Sequence, residues 1–149
     1  MIYRDHTKAA KASLVWGTSK MIRLLIVDDQ PAVRQGLRMR LGAEPDLEVV
    51  GEAADGEVAL SSAQALCPDV VLMDVEMPHM DGIAATDTLR KLCPSTAVIV
   101  LSMYDDASTQ ERAERAGATA FVPKRVPTDM LMAKIRQAAH DFRPTDTHL

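Results

Sequence analysis

Val70-Val71-Leu72-Met73-Asp74 is the stretch on which the fold turns: four apolar residues in a row, closed by an acid. So short a run with no polar member reads as a strand covered on both faces, since a half-exposed strand would alternate. Its last residue then falls at the carboxyl edge of a sheet. Leu24-Leu25-Ile26-Val27 has the same character and also ends in acids, Asp28-Asp29. If the two strands are parallel neighbours, three carboxylates meet at one crevice. Like charges that close repel, and the usual remedy is a hard divalent cation with oxygen ligands.

Working outward, strands and helical patterns alternate five times from Met21 onward. Residues 22–27 form the first strand. Pro31 suits the first turn of a helix, and Val33, Leu37 and Leu41 recur at four-residue spacing until Gly42. Residues 47–53 form a second strand, Asp55-Gly56 leads into a helix reaching about residue 66, and Cys67-Pro68 breaks the chain before the third strand, 70–73. A third helix starts near Asp81 and ends before Pro94; residues 97–101 are the fourth strand. The next helix, about 107–116, stops at Gly117, a good left-handed cap. Its apolar contacts come mainly from Ala107, Ala113 and Ala116, so it should hold the sheet weakly. The fifth strand, 120–122, is limited by Pro123, and the last helix runs from about 127 to 142. This alternation requires right-handed crossovers and a parallel sheet covered on both sides. The expected fold is therefore α/β, a five-stranded doubly wound parallel sheet with five helices over residues 21–142. Such sheets bind ligands at the carboxyl ends of their strands.

At 149 residues the chain is long enough to bury the core of one domain. Hydrophobic residues make up 47% but aromatics only 3%, so Val, Leu, Ile, Met and Ala must build that core. The formal net charge of -4 argues against a free-standing nucleic-acid binder. Residues 1–20 run the other way, with Arg4, Lys8, Lys11 and Lys20 against Asp5 alone. They read as an extension outside the domain, disordered or owed to an upstream start, and residues 143–149 read as a frayed tail. Cys67 and Cys93 have no metal-ligand spacing and no disulfide framework, which suits reduced thiols in a cytoplasmic protein. No stretch approaches a membrane span, and 12–16 is too short for a secretory signal.

Two further polar residues fall on the same sheet edge: Ser102 after the fourth strand and Lys124 after the fifth. One polar residue at a strand end is usually ordinary loop. Acid, acid, hydroxyl and ammonium at four strand ends are harder to explain structurally. The chain resembles the receiver domain of two-component response regulators, over about residues 21–142. The resemblance is carried by Val27-Asp28-Asp29-Gln30-Pro31, by Leu72-Met73-Asp74-Val75-Glu76-Met77-Pro78-His79-Met80-Asp81-Gly82, by Leu101-Ser102-Met103-Tyr104-Asp105-Asp106 and by Phe121-Val122-Pro123-Lys124. The last two look most like the LuxR/NarL-type subclass.

The resemblance implies a flavodoxin-like strand order, 2-1-3-4-5. It also implies that Asp74 accepts a phosphoryl group from a phosphohistidine on a sensor histidine kinase or histidine phosphotransfer protein. Mg²⁺ would be held by Asp29, Asp74 and the backbone carbonyl of Glu76, with Asp28 binding through water. Lys124 would pair with the phosphoryl oxygens and Ser102 would donate a hydrogen bond to them. Ser102 and Phe121 are the implied switch pair, and Glu76 and Tyr104 occupy positions that tune phosphoryl lifetime. Such a protein catalyses only its own phosphorylation and dephosphorylation. Pro31, Ala32, Val33 and Gly36 offer a kinase-docking face, and phosphorylation can drive homodimer formation.

The chain also departs from the family. Arg125 follows Lys124 where many receivers have a proline after a cis bond, and cis before a non-proline residue costs about 2.5–4 kcal/mol. LuxR-type regulators continue into a DNA-binding domain, whereas this sequence ends just past the final helix. The expectation is a stand-alone receiver or a piece of a longer regulator. Three rival functions compete with a phosphoacceptor. A haloacid-dehalogenase-type phosphatase also uses a strand-end aspartate and Mg²⁺, and Asp74-Val75-Glu76 faintly echoes its paired acids. It usually places its nucleophile on the first strand and needs a cap that no insertion here is long enough to form. A flavodoxin-type cofactor binder would need a phosphate loop where Asp28-Asp29-Gln30-Pro31 stands. A receiver-like interaction module that is never phosphorylated would not need all five site residues.

Overall fold

The computed structural model describes residues 21–103 and 106–141. Strands β1 (Ile22–Val27), β2 (Leu47–Ala53), β3 (Val70–Asp74), β4 (Ala97–Ser102) and β5 (Ala120–Pro123) alternate with helices α1 (Pro31–Gly42), α2 (Gly56–Leu66), α3 (Gly82–Leu92), α4 (Ala107–Arg115) and α5 (Thr128–Asp141). All strand pairs are parallel, in the order β2-β1-β3-β4-β5. The sequence-based sheet and its order are both found. Asp74 and Ser102 belong to their strands as last residues, pairing with Leu101 and Pro123. Tyr104, Phe142, the amino-terminal extension and the tail lie outside the described residues.

Uninterrupted apolar strands follow from a sheet with two dry faces. Leu24, Ile26, Val70, Leu72, Ile99, Leu101 and Val122 pack with Leu37 and Leu41 of α1 and with Leu131, Met132 and Ile135 of α5. The alternate residues Leu25, Val27, Val71, Met73, Val98 and Val100 pack with α2, α3 and α4 through Ala59, Ala63, Ile83, Ala85, Leu89 and Ala113. A one-residue slip in any central strand would exchange the two sets, so the register is strongly specified. Burying one large aliphatic side chain contributes roughly 1.5–3 kcal/mol.

The helices are not held equally. α5 buries Leu131, Met132, Ile135, Ala138 and Ala139, whereas α4 buries Ala113 alone. Ala116 is partly covered beside it, but Ala107, expected from its spacing to touch the sheet, is exposed because it opens the first turn. The amino end of α4 is well made locally, with Asp106 accepting from the Thr109 amide at 3.0 Å. Among the described residues, an Arg112–Asp81 ion pair at 3.7 Å between half-exposed side chains also ties it to the start of α3. A helix stabilised by its own cap rather than by burial opens at low energy.

Two turns shape the carboxyl edge. After β3, Met77 is buried, His79 takes a left-handed backbone (φ 71°), and Asp81 caps α3 by accepting from the Ala84 amide at 2.8 Å. After β5, the Lys124–Arg125 peptide is trans, so this loop does without the cis bond considered above. Amide hydrogen exchange should show α4 protected at least tenfold less than α1 and α5; equal protection would mean that its alanine contacts hold it as firmly.

Candidate functional site

The edge residues converge because parallel neighbours end at the same level. Asp28 follows β1, Asp74 ends β3, Ser102 ends β4, and Lys124 follows β5. Asp28 and Asp74 are each 1% exposed and Ser102 is fully covered. Lys124 reaches across the end of β4 and places Nζ 2.9 Å from Asp74 Oδ1 and 3.0 Å from Asp28 Oδ2. Its backbone amide donates to the Ser102 carbonyl at 2.9 Å, which sets the height from which the side chain reaches.

The Asp74 carbonyl is packed against α3. A Cβ on Gly82 would lie 1.8 Å from that oxygen, so the spacing from Asp74 to Gly82 is a matter of close backbone approach. The Gly82 amide donates to the Val75 carbonyl at 2.9 Å and fixes the turn between them. Asp28 is held just as closely. Its amide donates to Ala53 at 3.1 Å, its Oδ1 accepts from the Gln30 amide at 2.9 Å, and its carbonyl accepts from Arg34 Nη1 at 2.6 Å.

Burial is the largest influence on Asp74, whose carboxyl is pushed up to about 6; the Lys124 hydrogen bond opposes that rise and the charges of Asp28 and Glu76 add to it. For Lys124, burial acts most strongly and favours loss of the proton, yet its contacts with Asp74 and Asp28 together outweigh it and raise the ammonium above its usual range. The pair therefore favours a charged lysine beside a reluctant carboxylate.

Asp28, Asp29 and Asp74 each place a carboxylate oxygen within 4.8 Å of the others, with Asp29 the more exposed of the three. Asp74 Oδ2 is buried without a hydrogen-bond partner. A buried orphan oxygen among three acids matches the oxygen-rich shell that a hard divalent cation takes. Asp28, Asp29, Asp74, Glu76, Ser102 and Lys124 meet here, but two relations were not foreseen. Ser102 Oγ donates to Glu76 Oε2 at 3.0 Å rather than to Asp74, while the Glu76 amide lies 3.3 Å from Asp74 Oδ1. Arg34 and its partner Glu52 were also missed. The sequence signal for them is that Arg34 stands three residues before Leu37 and seven before Leu41, which puts a charged side chain on the covered face of α1. Phe121 is half-buried and packs on the α2–α4 side of the sheet, and Tyr104 lies outside the described residues.

Sheet order, buried acids and bridging lysine define a class, and comparison with known proteins gives the same one. The response regulator receiver domain family matches residues 24–136, and the chain belongs to that family. It is 35% identical over 130 residues to the transcriptional regulatory protein DegU of Brevibacillus brevis, covering 85% of this chain and 55% of that protein. It is 34% identical over 116 residues to the nitrate/nitrite response regulator protein NarL of Escherichia coli K12, covering 78% of this chain and 54% of that protein. Among solved structures, the signal receiver domain of a NarL response regulator from Mycobacterium tuberculosis superposes with a TM-score of 0.77 at 31% identity, covering 82% of this chain and 98% of that one. The chain thus spans about half the length of these curated relatives and nearly all of an isolated receiver. These relatives support the LuxR/NarL-type subclass and leave the phosphatase and flavodoxin readings without support. No helix among the described residues is long and apolar enough to cross a membrane.

A raised carboxyl binds its proton more tightly in the folded state than in the unfolded chain. Its contribution to stability is therefore complete below the unfolded value, about 4, and is lost as pH rises through about 6. Asp74→Asn removes the charge and with it a penalty on the order of 1–3 kcal/mol, less whatever the Lys124 contact supplied. The metal-free variant is expected to melt several degrees above the parent near pH 7.5, with the difference shrinking by about pH 4.5. A constant difference across that range would show that burial does not strain Asp74.

Proposed function

We propose that this chain is a phosphoacceptor receiver unit spanning residues 21–142, in which Asp74 takes a phosphoryl group from a phosphohistidine on a sensor histidine kinase or histidine phosphotransfer protein. The observation that carries this reading is Lys124 Nζ lying 2.9 Å from Asp74 and 3.0 Å from Asp28 at the sheet edge, beside an orphan Asp74 oxygen. An Asp74 carboxylate oxygen forms the new P–O bond while the P–N bond to imidazole breaks, and the imidazole nitrogen keeps the electron pair. The protein supplies mainly position and compensating charge for such a transfer. Asp28, Asp29, Asp74 and the Glu76 carbonyl would hold Mg²⁺, which neutralises phosphoryl charge when bound. Lys124, a compact point charge, turns from the carboxylates toward the phosphoryl oxygens. The exposed Pro31 and Ala32 at the start of α1 lie beside Asp28 and Asp29, which suits a docking face for the phosphoryl donor. The chain turns over no substrate of its own beyond this group.

The Ser102–Glu76 hydrogen bond sets the terms of switching. Ser102 has one hydroxyl proton, now given to Glu76, and the phosphoryl group must compete for it. Release of Ser102 from Glu76 opens space under β4 for Phe121, and the weakly held α4 responds. Glu76 thereby acts on the switch as well as on water near the phosphoryl group. Homodimer formation would follow from that change of surface.

Incubation with acetyl phosphate and Mg²⁺ should add one phosphoryl group by intact mass, alkali-labile and absent from Asp74→Ala; an adduct that persists in the variant removes Asp74 from this role. Ser102→Ala should take up phosphate yet leave the Phe121 resonances unmoved. In Glu76→Ala without phosphate, those resonances should move part-way toward their phosphorylated positions. Unchanged Phe121 signals in that variant would show that the Ser102–Glu76 contact does not restrain the switch.

A further inference from the structure

Arg34 lies on α1, outside the set of residues to which phosphoryl chemistry was assigned above. Its side chain is 17% exposed and it uses two donors in two directions. Nη1 gives a 2.6 Å hydrogen bond to the Asp28 carbonyl, and Nε gives a 3.1 Å bond to Glu52 Oε1. Glu52 sits on β2, paired with Ile26 of β1, and its other oxygen accepts from Arg38 Nε at 2.5 Å. The carbonyl that Arg34 holds belongs to the peptide linking Asp28 to Asp29. Rotating that peptide would swing Asp29 relative to Asp28 and disperse the carboxylate cluster, whose oxygens now lie within 4.8 Å of one another.

We infer that Arg34, oriented by Glu52, is a positioning residue that locks the Asp28–Asp29 peptide plane and so sets the affinity of the acidic cluster for its divalent cation. This rests on the reading of that cluster as a metal site. Three features support it. The guanidinium is planar, so a bond at Nε to Glu52 fixes the direction in which Nη1 points. The Asp28 side chain is tied at both oxygens, by the Gln30 amide and by Lys124, which leaves the carbonyl as the remaining free turn of that residue. Asp29 is the most exposed of the three acids, so its placement depends on the backbone rather than on packing. Partners behind a metal ligand typically change affinity by about 10–100-fold when removed.

The test is Mg²⁺ titration of the full chain by calorimetry, with amide exchange at Asp29 and Gln30. Arg34→Met keeps the apolar stem and removes both donors. It should weaken Mg²⁺ binding about tenfold and speed exchange at those two amides, while the phosphorylation rate from acetyl phosphate recovers to near the parent value at saturating Mg²⁺. Glu52→Gln keeps an acceptor and should weaken binding by a smaller factor. Arg34→Lys, with one donor nitrogen and no rigid plane in place of two, should fall between Met and the parent. The double variant Arg34→Met, Glu52→Gln should be no weaker than Arg34→Met alone, because the two act in series. Binding by Arg34→Met within twofold of the parent overturns the inference, as does a rate deficit that saturating Mg²⁺ leaves in place. Should Arg34→Met fail to fold, Glu52→Gln and Arg34→Lys decide by the same criterion. A parent that binds no Mg²⁺ fails the metal-site reading itself; a parent that binds, with Asp29→Asn weakened and the Arg34 variants unchanged, fails this inference alone.

Discussion

Two acids with almost no access to water share one ammonium, and most of the structure around them serves that arrangement. Lys124 alone cannot balance the pocket: it is one positive charge facing Asp28 and Asp74 at contact distance, with Asp29 beside them. The imbalance appears in Asp74 itself, whose raised carboxyl is driven first by burial. An incoming cation is thus favoured by a field already present, whereas an anionic phosphoryl group is repelled until the acids are offset. In the function proposed above, a divalent ion would offset the acids and leave the lysine to face the phosphoryl oxygens. The burial that pushes the Asp74 carboxyl up is a cost in the metal-free protein, and carboxyls so perturbed cluster at functional sites.

The same economy links chemistry to shape. Ser102 is fully buried at the end of β4 and its proton rests on Glu76, two residues beyond Asp74. In the function proposed above, a phosphoryl group on Asp74 would enter a site where the Ser102 hydroxyl already has a partner, and Glu76 would compete with it. Downstream of Ser102 the sheet is covered by a helix that buries a single alanine. Little burial therefore opposes a shift of that helix, whereas α5 is anchored by Leu131, Met132 and Ile135.

The parallel sheet and the five edge residues were legible because each is a local pattern with a local cause, whereas the strand order came from the family resemblance. Uninterrupted apolar runs mean two dry faces, and a polar residue after such a run means an edge position. Gly82 was legible as part of a motif, and its reason, a carbonyl where a Cβ would stand, needed coordinates. Ala107 was misread because helical spacing alone does not say where on the sheet the first turn lands. The Arg34–Glu52–Asp28 chain was invisible for a different reason. Arg34 and Glu52 are 18 residues apart in sequence, and they meet through the pairing of β2 with β1. That β1–β2 pairing shifts register between Leu24 and Leu25, so the residue opposite each β1 position cannot be counted from the sequence.

That register shift shows why the site cannot exist apart from the whole sheet. Glu52 faces Arg34 because β2 gains one residue on β1 just before Gly51, and Asp28 is tied to Ala53 at the same strand end. On the other side, Lys124 reaches the acids only after β4 has paired with both β3 and β5. In the unfolded chain Asp74 is far from Asp28 and Asp29 and all three are hydrated, so the repulsion between Asp74 and that pair is a native-state cost. It is carried by two apolar cores of long aliphatic side chains, which is why those cores lie directly beneath the site on either face of the same strands. Contacts of such long sequence separation carry a loop-closure cost that slows folding. The pocket therefore closes only when every central strand is in register, and a receiver with a slipped strand would present no assembled acids to a phosphoryl donor.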